Sequence, residues 1–202
     1  MAIEHDSIVD TEVHEPRLIS TAALGEVYVA NGVGSGDWLT MPTLLTGTAV
    51  LGALDFTNQN PSGTDNPLQI KFGSAQGSGA TPLQLDAAGA VTVNETGLYF
   101  VLVRFSVGRT SGTGVARVLF RQLVNGVQVG AGGSVNIGSA DATLPAGSAT
   151  FQQLTQGQVL TWECARDSSG NDSGGLLTFT PTTLPWTPSP SAFLVMNKME
   201  LA

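Results

Sequence analysis

With 202 residues the chain has room for one jelly-roll-sized domain plus an extension, or for two small domains, and length alone does not choose. The net charge of −8 lies wholly in the front third: residues 1–66 hold nine carboxylates against Arg17 alone, whereas residues 67–202 hold seven acids and seven bases. An acidic front repels phosphate and anionic lipid, which argues against nucleic acid or a membrane surface as its partner and for a basic or polar protein surface.

Only 12% of residues are charged while glycine reaches 25, so the surface must be built from Ser, Thr, Asn, Gln and Gly. No run of apolar residues is long enough to span a bilayer, and MAIEHDSIVD lacks the basic and apolar parts of a secretory signal. The expectation is a soluble protein made in a cytoplasm, with no membrane insertion. Cys164 is alone, which excludes an internal disulfide and a multi-cysteine zinc site. It falls in VLTWECAR, which reads as a strand, so a small buried side chain is expected rather than a reactive thiol.

In chain order, residues 1–19 are polar and acidic and end in HEPRLI, where Pro16 pushes Glu15 towards an extended conformation. This reads as an arm that orders against a partner. From Thr21 to Thr40 a hairpin is expected: Val27 and Val29 point one way and Tyr28 the other, ANGVGSGD turns the chain, and Trp38-Leu39 returns it. A hairpin of this size cannot bury a core of its own, so it must dock on a neighbour or trimerise. Residues 1–45 are therefore taken as an attachment arm and hairpin, with Tyr28 and Trp38 as its hydrophobic anchors. Residues 46–66, with the turn-rich NQNPSGTDN, are taken as a connector.

Residues 67–202 are taken as a head domain. Ten candidate strands lie here: Leu68–Phe72, Leu83–Leu85, Val91–Val93, Leu98–Val107, Val115–Val124, Val127–Val129, Ser148–Leu154, Gln158–Ala165, Leu176–Phe179 and Ala192–Leu201. Their spacing predicts an all-β sandwich or jelly roll. VARVLFRQLV also fits helical spacing, but the glycines before it and Asn125-Gly126 after it favour a strand leading into a tight hairpin.

PLQIKFGSAQ, PLQLDAAGAVTVNETGLYFVLVRF, LTQGQVLTW and SAFLVMNKMEL follow one another as in the jelly-roll domain shared by complement globular heads and the tumour-necrosis-factor family. The matching residues are Gly97-Leu98-Tyr99 before the central strand, Leu154, Gly157 and Val159 in a turn, and Ser191 and Phe193 opening the last strand. The chain departs from that family at Gln158, where an aspartate is usual, so nothing that rests on that carboxylate carries over. The resemblance implies a ten-stranded jelly roll that forms a homotrimer, with Tyr99 and Phe193 at the trimer interface.

The front of the chain is similar to the N-terminal segment of tailed-bacteriophage virion accessory proteins. Ser20-Thr21-Ala22, Val27-Tyr28-Val29-Ala30, Asn31-Gly32 and Gly34-Ser35-Gly36-Asp37-Trp38 carry that likeness. It implies a capsid decoration or head-fibre protein on the virion surface, made in the host cytoplasm, with a head available for adhesion to host or environmental surfaces. His14, Pro16, Arg17, Tyr28 and Trp38 would contact the major capsid protein or another virion protein. A tail-associated receptor-binding protein recognising a cell-surface glycan is the alternative, and a glycan-degrading enzyme the third reading.

Few residues have the types and spacing of a reactive site. His5 and His14 both lie in the arm, without a His-Glu-x-x-His spacing or a scaffold to preorganise a metal, so no metal site is expected. No Gly-x-Ser-x-Gly elbow appears, and GVGSGD lacks both the last glycine of a dinucleotide fingerprint and the Lys-Ser/Thr of a phosphate loop. Neither a cofactor nor a catalytic residue is expected. RDSSGNDSGG offers oxygen ligands in Asp167 and Asn171 but not at the spacing of an EF-hand, and reads as a polar end loop. Arg104, Arg109, Arg117 and Arg121 read as a partly exposed face or inter-subunit ion pairs, with an anionic-glycan contact as the sharper alternative. Trp162 is expected in the core. Trp186, in the Pro-rich TLPWTPSP, is with Asp167 and Asn171 a candidate ligand contact, and a surface glycan is left open as a partner.

Overall fold

The longest alternating run, GLYFVLVRFSVG, forms the strand Gly97–Gly108, and its odd positions Tyr99, Val101, Val103, Phe105 and Val107 are all buried. A period of two is what a sheet requires of residues that share one covered face. The computed structural model describes residues 26–30, 36–40, 50–76, 82–138, 143–171 and 173–199.

Fourteen strands occur in these residues: β1 Glu26–Ala30, β2 Gly36–Thr40, β3 Val50–Asp55, β4 Leu68–Gln69, β5 Ala75–Gln76, β6 Leu83–Leu85, β7 Val91–Val93, β8 Gly97–Gly108, β9 Ala116–Val124, β10 Val127–Ile137, β11 Thr143–Leu154, β12 Val159–Arg166, β13 Gly175–Leu176 and β14 Ala192–Met199. The chain divides into two compact units, one containing β1 and β2 and the other β3 to β14. In the first, β1 and β2 pair antiparallel with Tyr28 and Trp38 as register partners. His14, Pro16 and Arg17 lie outside the described residues.

The second unit is an all-β sandwich of two six-stranded antiparallel sheets. One runs β11-β8-β14-β3-β5, with β13 also paired to β8; the other runs β10-β9-β12-β7-β6, with β4 on β12. Their inner faces meet over Ile70, Phe72, Tyr99, Val101, Leu160, Trp162, Leu194 and Met196. Phe72 meets Trp162 edge-on with centroids 5.3 Å apart, and Phe105 stacks on Phe120 at 5.1 Å.

All ten expected strands fall on strands of the sandwich, though several bounds move. VARVLFRQLV is strand β9, and Asn125 and Gly126, with φ of 51° and 77°, make the two-residue turn into β10. β10 continues past the expected Val129 to Ile137 through a bulge between Val129 and Gly133. Leu68–Phe72 keeps ladder pairing only at Leu68–Gln69, yet Ile70 and Phe72 remain wholly buried.

The expected connector over residues 46–66 is corrected. Within it, VLGALD forms β3, seated between β14 and β5 with Leu51 and Ala53 in the core. The turn-rich part that follows is bolted to the sandwich: Gln59 is buried, donates from Nε2 to the Lys71 carbonyl (2.9 Å) and accepts from the Lys71 amide (2.8 Å). Its backbone also pairs with Leu176 in both directions. Buried backbone groups need such partners, and here an amide side chain and an isolated bridge supply them where no long strand can.

Candidate functional sites

The outer face of the sheet containing β8 is rich in apolar side chains. On β8, Leu98, Phe100 and Leu102 alternate with the core residues and so point outward; on β14 Phe193 and Val195 do the same, and on β3 Leu54. β11 adds Ala149 opposite Leu102 and Phe151 opposite Phe100, and the two phenyl rings lie 5.3 Å apart. Phe151 is 60% exposed. Arg104 is the one charged side chain among the described outward positions of β3, β8, β11 and β14, and it makes no hydrogen bond or ion pair with a described residue.

Phe193 stands on this face, between Arg104 of β8 and Leu54 of β3. Tyr99 does not, which corrects its expected interface role. It is fully buried between the sheets and its hydroxyl donates to the Glu95 carbonyl at 2.7 Å. Its odd position in β8 puts it on the core face, so it is a structural residue of its own protomer. The signal was present in the alternation of the strand.

Each sheet has two edge strands, β11 and β5 in one and β10 and β6 in the other, and neither of the long edges, β10 and β11, contains a charged residue. Between them opens a cleft of about 1430 Å³ that reaches Phe120 and Trp162. Gln122 and Gln152 span it with a reciprocal amide pair, 3.0 and 2.8 Å, joining the two sheets.

At one end of the sandwich the polar loop after β12 is tied down by its own side chains. Asp167 Oδ1 accepts from the Ser169 amide at 2.7 Å, and those hydrogen bonds from Ser169 hold its carboxyl below the usual carboxylate range. Asn171 accepts from the Ser173 hydroxyl and donates to the Thr113 carbonyl, while its amide bonds to the Val115 carbonyl at 2.9 Å. Both proposed ligand contacts are thus engaged within the chain as loop fasteners. Arg117 reaches Asn136 and Ser169 (2.9 and 2.8 Å), and Arg121 pairs with Glu163 at 2.7 Å. Arg109, the residue after β8, has only 3% of its surface exposed, with Nε and Nη1 unpartnered among the described residues.

Gln158 stands at the turn before β12, and its Oε1 accepts the Thr155 amide at 2.9 Å. An uncharged amide therefore serves the turn. Cys164 is buried, and loss of solvation pushes its thiol from 9.0 up to about 12, so it is a neutral core side chain. Among the described residues no group of three or more metal-ligating side chains converges.

The remaining candidate, Trp186, is 69% exposed in the loop between β13 and β14. Thr178 Oγ1 donates to the Ser189 carbonyl (2.7 Å), the Ser189 amide to the Phe179 carbonyl (2.8 Å), and the Thr178 amide to Asn58 Oδ1 (2.9 Å), so the neck of this loop is closed. Sequence reasoning found Trp186 through the surrounding prolines but gave no hint of this neck, which depends on a partner 120 residues away.

No protein-family model and no curated protein matches the sequence. Among solved structures, the Eiger TNF of S. frugiperda is similar over 76% of this chain and 93% of its own, at 14% identity and a TM-score of 0.51. Murine APRIL at pH 5.0 matches over 74% of this chain and 98% of its own, at 18% identity and a TM-score of 0.45. What the Eiger likeness shows is the fold: the head is a jelly roll of the tumour-necrosis-factor type.

Proposed function

We propose that the protein is a non-enzymatic structural component of a virion: a homotrimer whose jelly-roll heads associate through the outer face of β11, β8, β14 and β3, and whose residues 1–45 fasten it to a capsid. The observation that carries the reading is that face, on which Phe100, Phe151, Phe193, Leu98, Leu102 and Val195 share one surface with Arg104 as the sole charge among the described outward positions. Exposed apolar surface costs about 25 cal/mol per Å², and a second copy removes that cost by covering it. The two long edge strands, β10 and β11, support the same conclusion, because long edges without charge invite pairing unless something covers them.

A face on one protomer and an edge on the next make a heterologous contact, which stays soluble only where the rotation closes into a ring. Three copies is the ring that the likeness of the head to trimeric jelly rolls implies. The motifs of residues 20–38 support the attachment role, and three tethered arms raise the overall affinity by on the order of 10² to 10⁴ where all engage together.

The reading includes no catalytic step. In solution the full chain is expected to have the mass of three protomers, and Trp38→Ala is expected to lose binding to capsids stripped of the protein while keeping that mass. A monomeric wild type, or unchanged capsid binding by the variant, overturns the proposal. The exposure of Trp186 supports a second reading, a tail-associated receptor-binding protein. Symmetric density over the head lattice would exclude the tail, and density confined to the tail would exclude the decoration role.

A further inference from the structure

β3 begins at Val50 and ends at Asp55, which sits beside Ala192 at the start of β14. The loop between β13 and β14 therefore stands at the far end of this sheet from the point where the chain enters it. That loop carries Phe179 at 59% exposure and Trp186 at 69%, and residues 182–187 form one continuous exposed run.

Three properties narrow what such a loop can hold. From Leu176 to Ala192 there is no Asp, Glu, Lys or Arg, so nothing rewards a charged ligand. The same stretch contains Thr178, Thr180, Thr182, Thr183, Thr187 and Ser189, hydroxyls that both donate and accept hydrogen bonds. Pro181, Pro185, Pro188 and Pro190 limit the backbone, and the closed neck at Thr178, Phe179 and Ser189 fixes both ends, so little freedom is lost when a ligand is held. A protein docking site would be expected to pair its aromatics with arginine in a packed apolar centre. Here Trp186 lies in sequence between Pro185 and Thr187, with the exposed Leu184 and the hydroxyls of Thr182 and Thr183 just before it, and the loop contains no arginine.

We propose that the loop of residues 177–190 is a binding platform for neutral saccharides, with Trp186 as the stacking surface and the neighbouring threonines as hydrogen-bonding groups. The axial C–H groups of a pyranose ring pack against the face of an indole, and its hydroxyls match groups that are donor and acceptor at once. Anionic sugars gain nothing from this loop. The platform deepens the view of the head as the displayed part of the protein, but it belongs to the free molecule and its test needs no particle.

The test uses the full-length protein and an array of neutral oligosaccharides built from glucose, galactose, mannose and N-acetylglucosamine, beside polygalacturonate and heparin as anionic probes. Saturable binding of at least one neutral oligosaccharide is expected, with a change in tryptophan emission on titration. Trp186→Ala should weaken that binding at least tenfold with melting temperature and molecular mass unchanged, and Thr187→Val should weaken it about two- to fivefold. Binding of none of the neutral sugars, equal affinity in Trp186→Ala, or tighter binding of the anionic polymers would each overturn the proposal. Failure of trimerisation would appear instead as a change of mass in the wild type, so the two claims fall separately.

Discussion

The two sheets of the sandwich bury similar interiors but present opposite outer faces. On the β9–β12 side, Arg121 pairs with Glu163, Arg117 reaches Asn136 and Ser169, and Gln69 donates to the Ala88 carbonyl at 2.9 Å. This face carries one matched pair of charges and an arginine held by two neutral oxygens of the same chain. On the β8–β14 side, the half-buried Phe100 lies against the exposed Phe151, and Arg104 is the lone charge among the described outward positions. The difference is why the proposed association is assigned to the β8–β14 side, since strand alternation alone would allow either sheet to be solvated and the β9–β12 side has the charged pair.

Placing a charge on the apolar face breaks the comparison most directly. Phe151→Asp is expected to turn the assembly into monomers at micromolar concentration, a loss on the order of 4 kcal/mol or about a thousandfold in affinity, with the sandwich still folded because Phe151 is 60% exposed. Light scattering reads the mass and circular dichroism the fold. An unchanged mass would mean that the apolar face is not the contact.

The interior between the faces offers the next largest effect, through pH. The Cys164 thiol ionises near 9.0 in the unfolded chain and near about 12 when buried. Below pH 9 both states hold the proton and stability is full. Between the two values only the unfolded chain releases it, so stability falls with rising pH and is lower by on the order of 4 kcal/mol near pH 12. Urea midpoints at pH 8, 9.5 and 10.5 should decline more steeply in the wild type than in Cys164→Ala, and a thiol reagent should leave the folded protein unmodified at pH 8. Parallel declines would show that Cys164 is not the titrating group.

Tyr99 separates interior from face by a smaller margin. Tyr99→Phe removes the 2.7 Å bond to the Glu95 carbonyl and leaves a carbonyl to find another partner. A loss of about 1 kcal/mol in folding stability is expected with no change in association. Weakened association at unchanged stability would return Tyr99 to the interface.

Much of this contrast was legible in the residues. GLYFVLVRFSVG and SAFLVMNKM show their two faces by alternation, and Asn125-Gly126 marks the hairpin between β9 and β10. What stayed hidden depends on partners remote in sequence. β3 is short and interrupted by Gly52, and only its pairing with Asn197 to Ala192 makes it a strand. Gln59 looked like part of a polar turn until Lys71 supplied both halves of its amide pairing. Asp167 and Asn171 have the residue types of ligands, and only the positions of Ser169, Ser173 and Thr113 reveal that they fasten a loop. Tyr99 was misplaced because the family likeness outweighed the parity of its own strand.

The smallest effect belongs to the polar face and is the control for the largest. Arg121 and Glu163 are register partners across β9 and β12, and their 2.7 Å pair is partly exposed, so solvent screens much of its attraction. Arg121→Ala should cost at most about 1 kcal/mol in stability and leave the mass of the assembly unchanged. The variant also tests the direction of the contrast. If removing this charge dissociated the protomers as Phe151→Asp is expected to, the contact would run through the polar sheet, and the exposed Phe151 of β11 would need a different occupant.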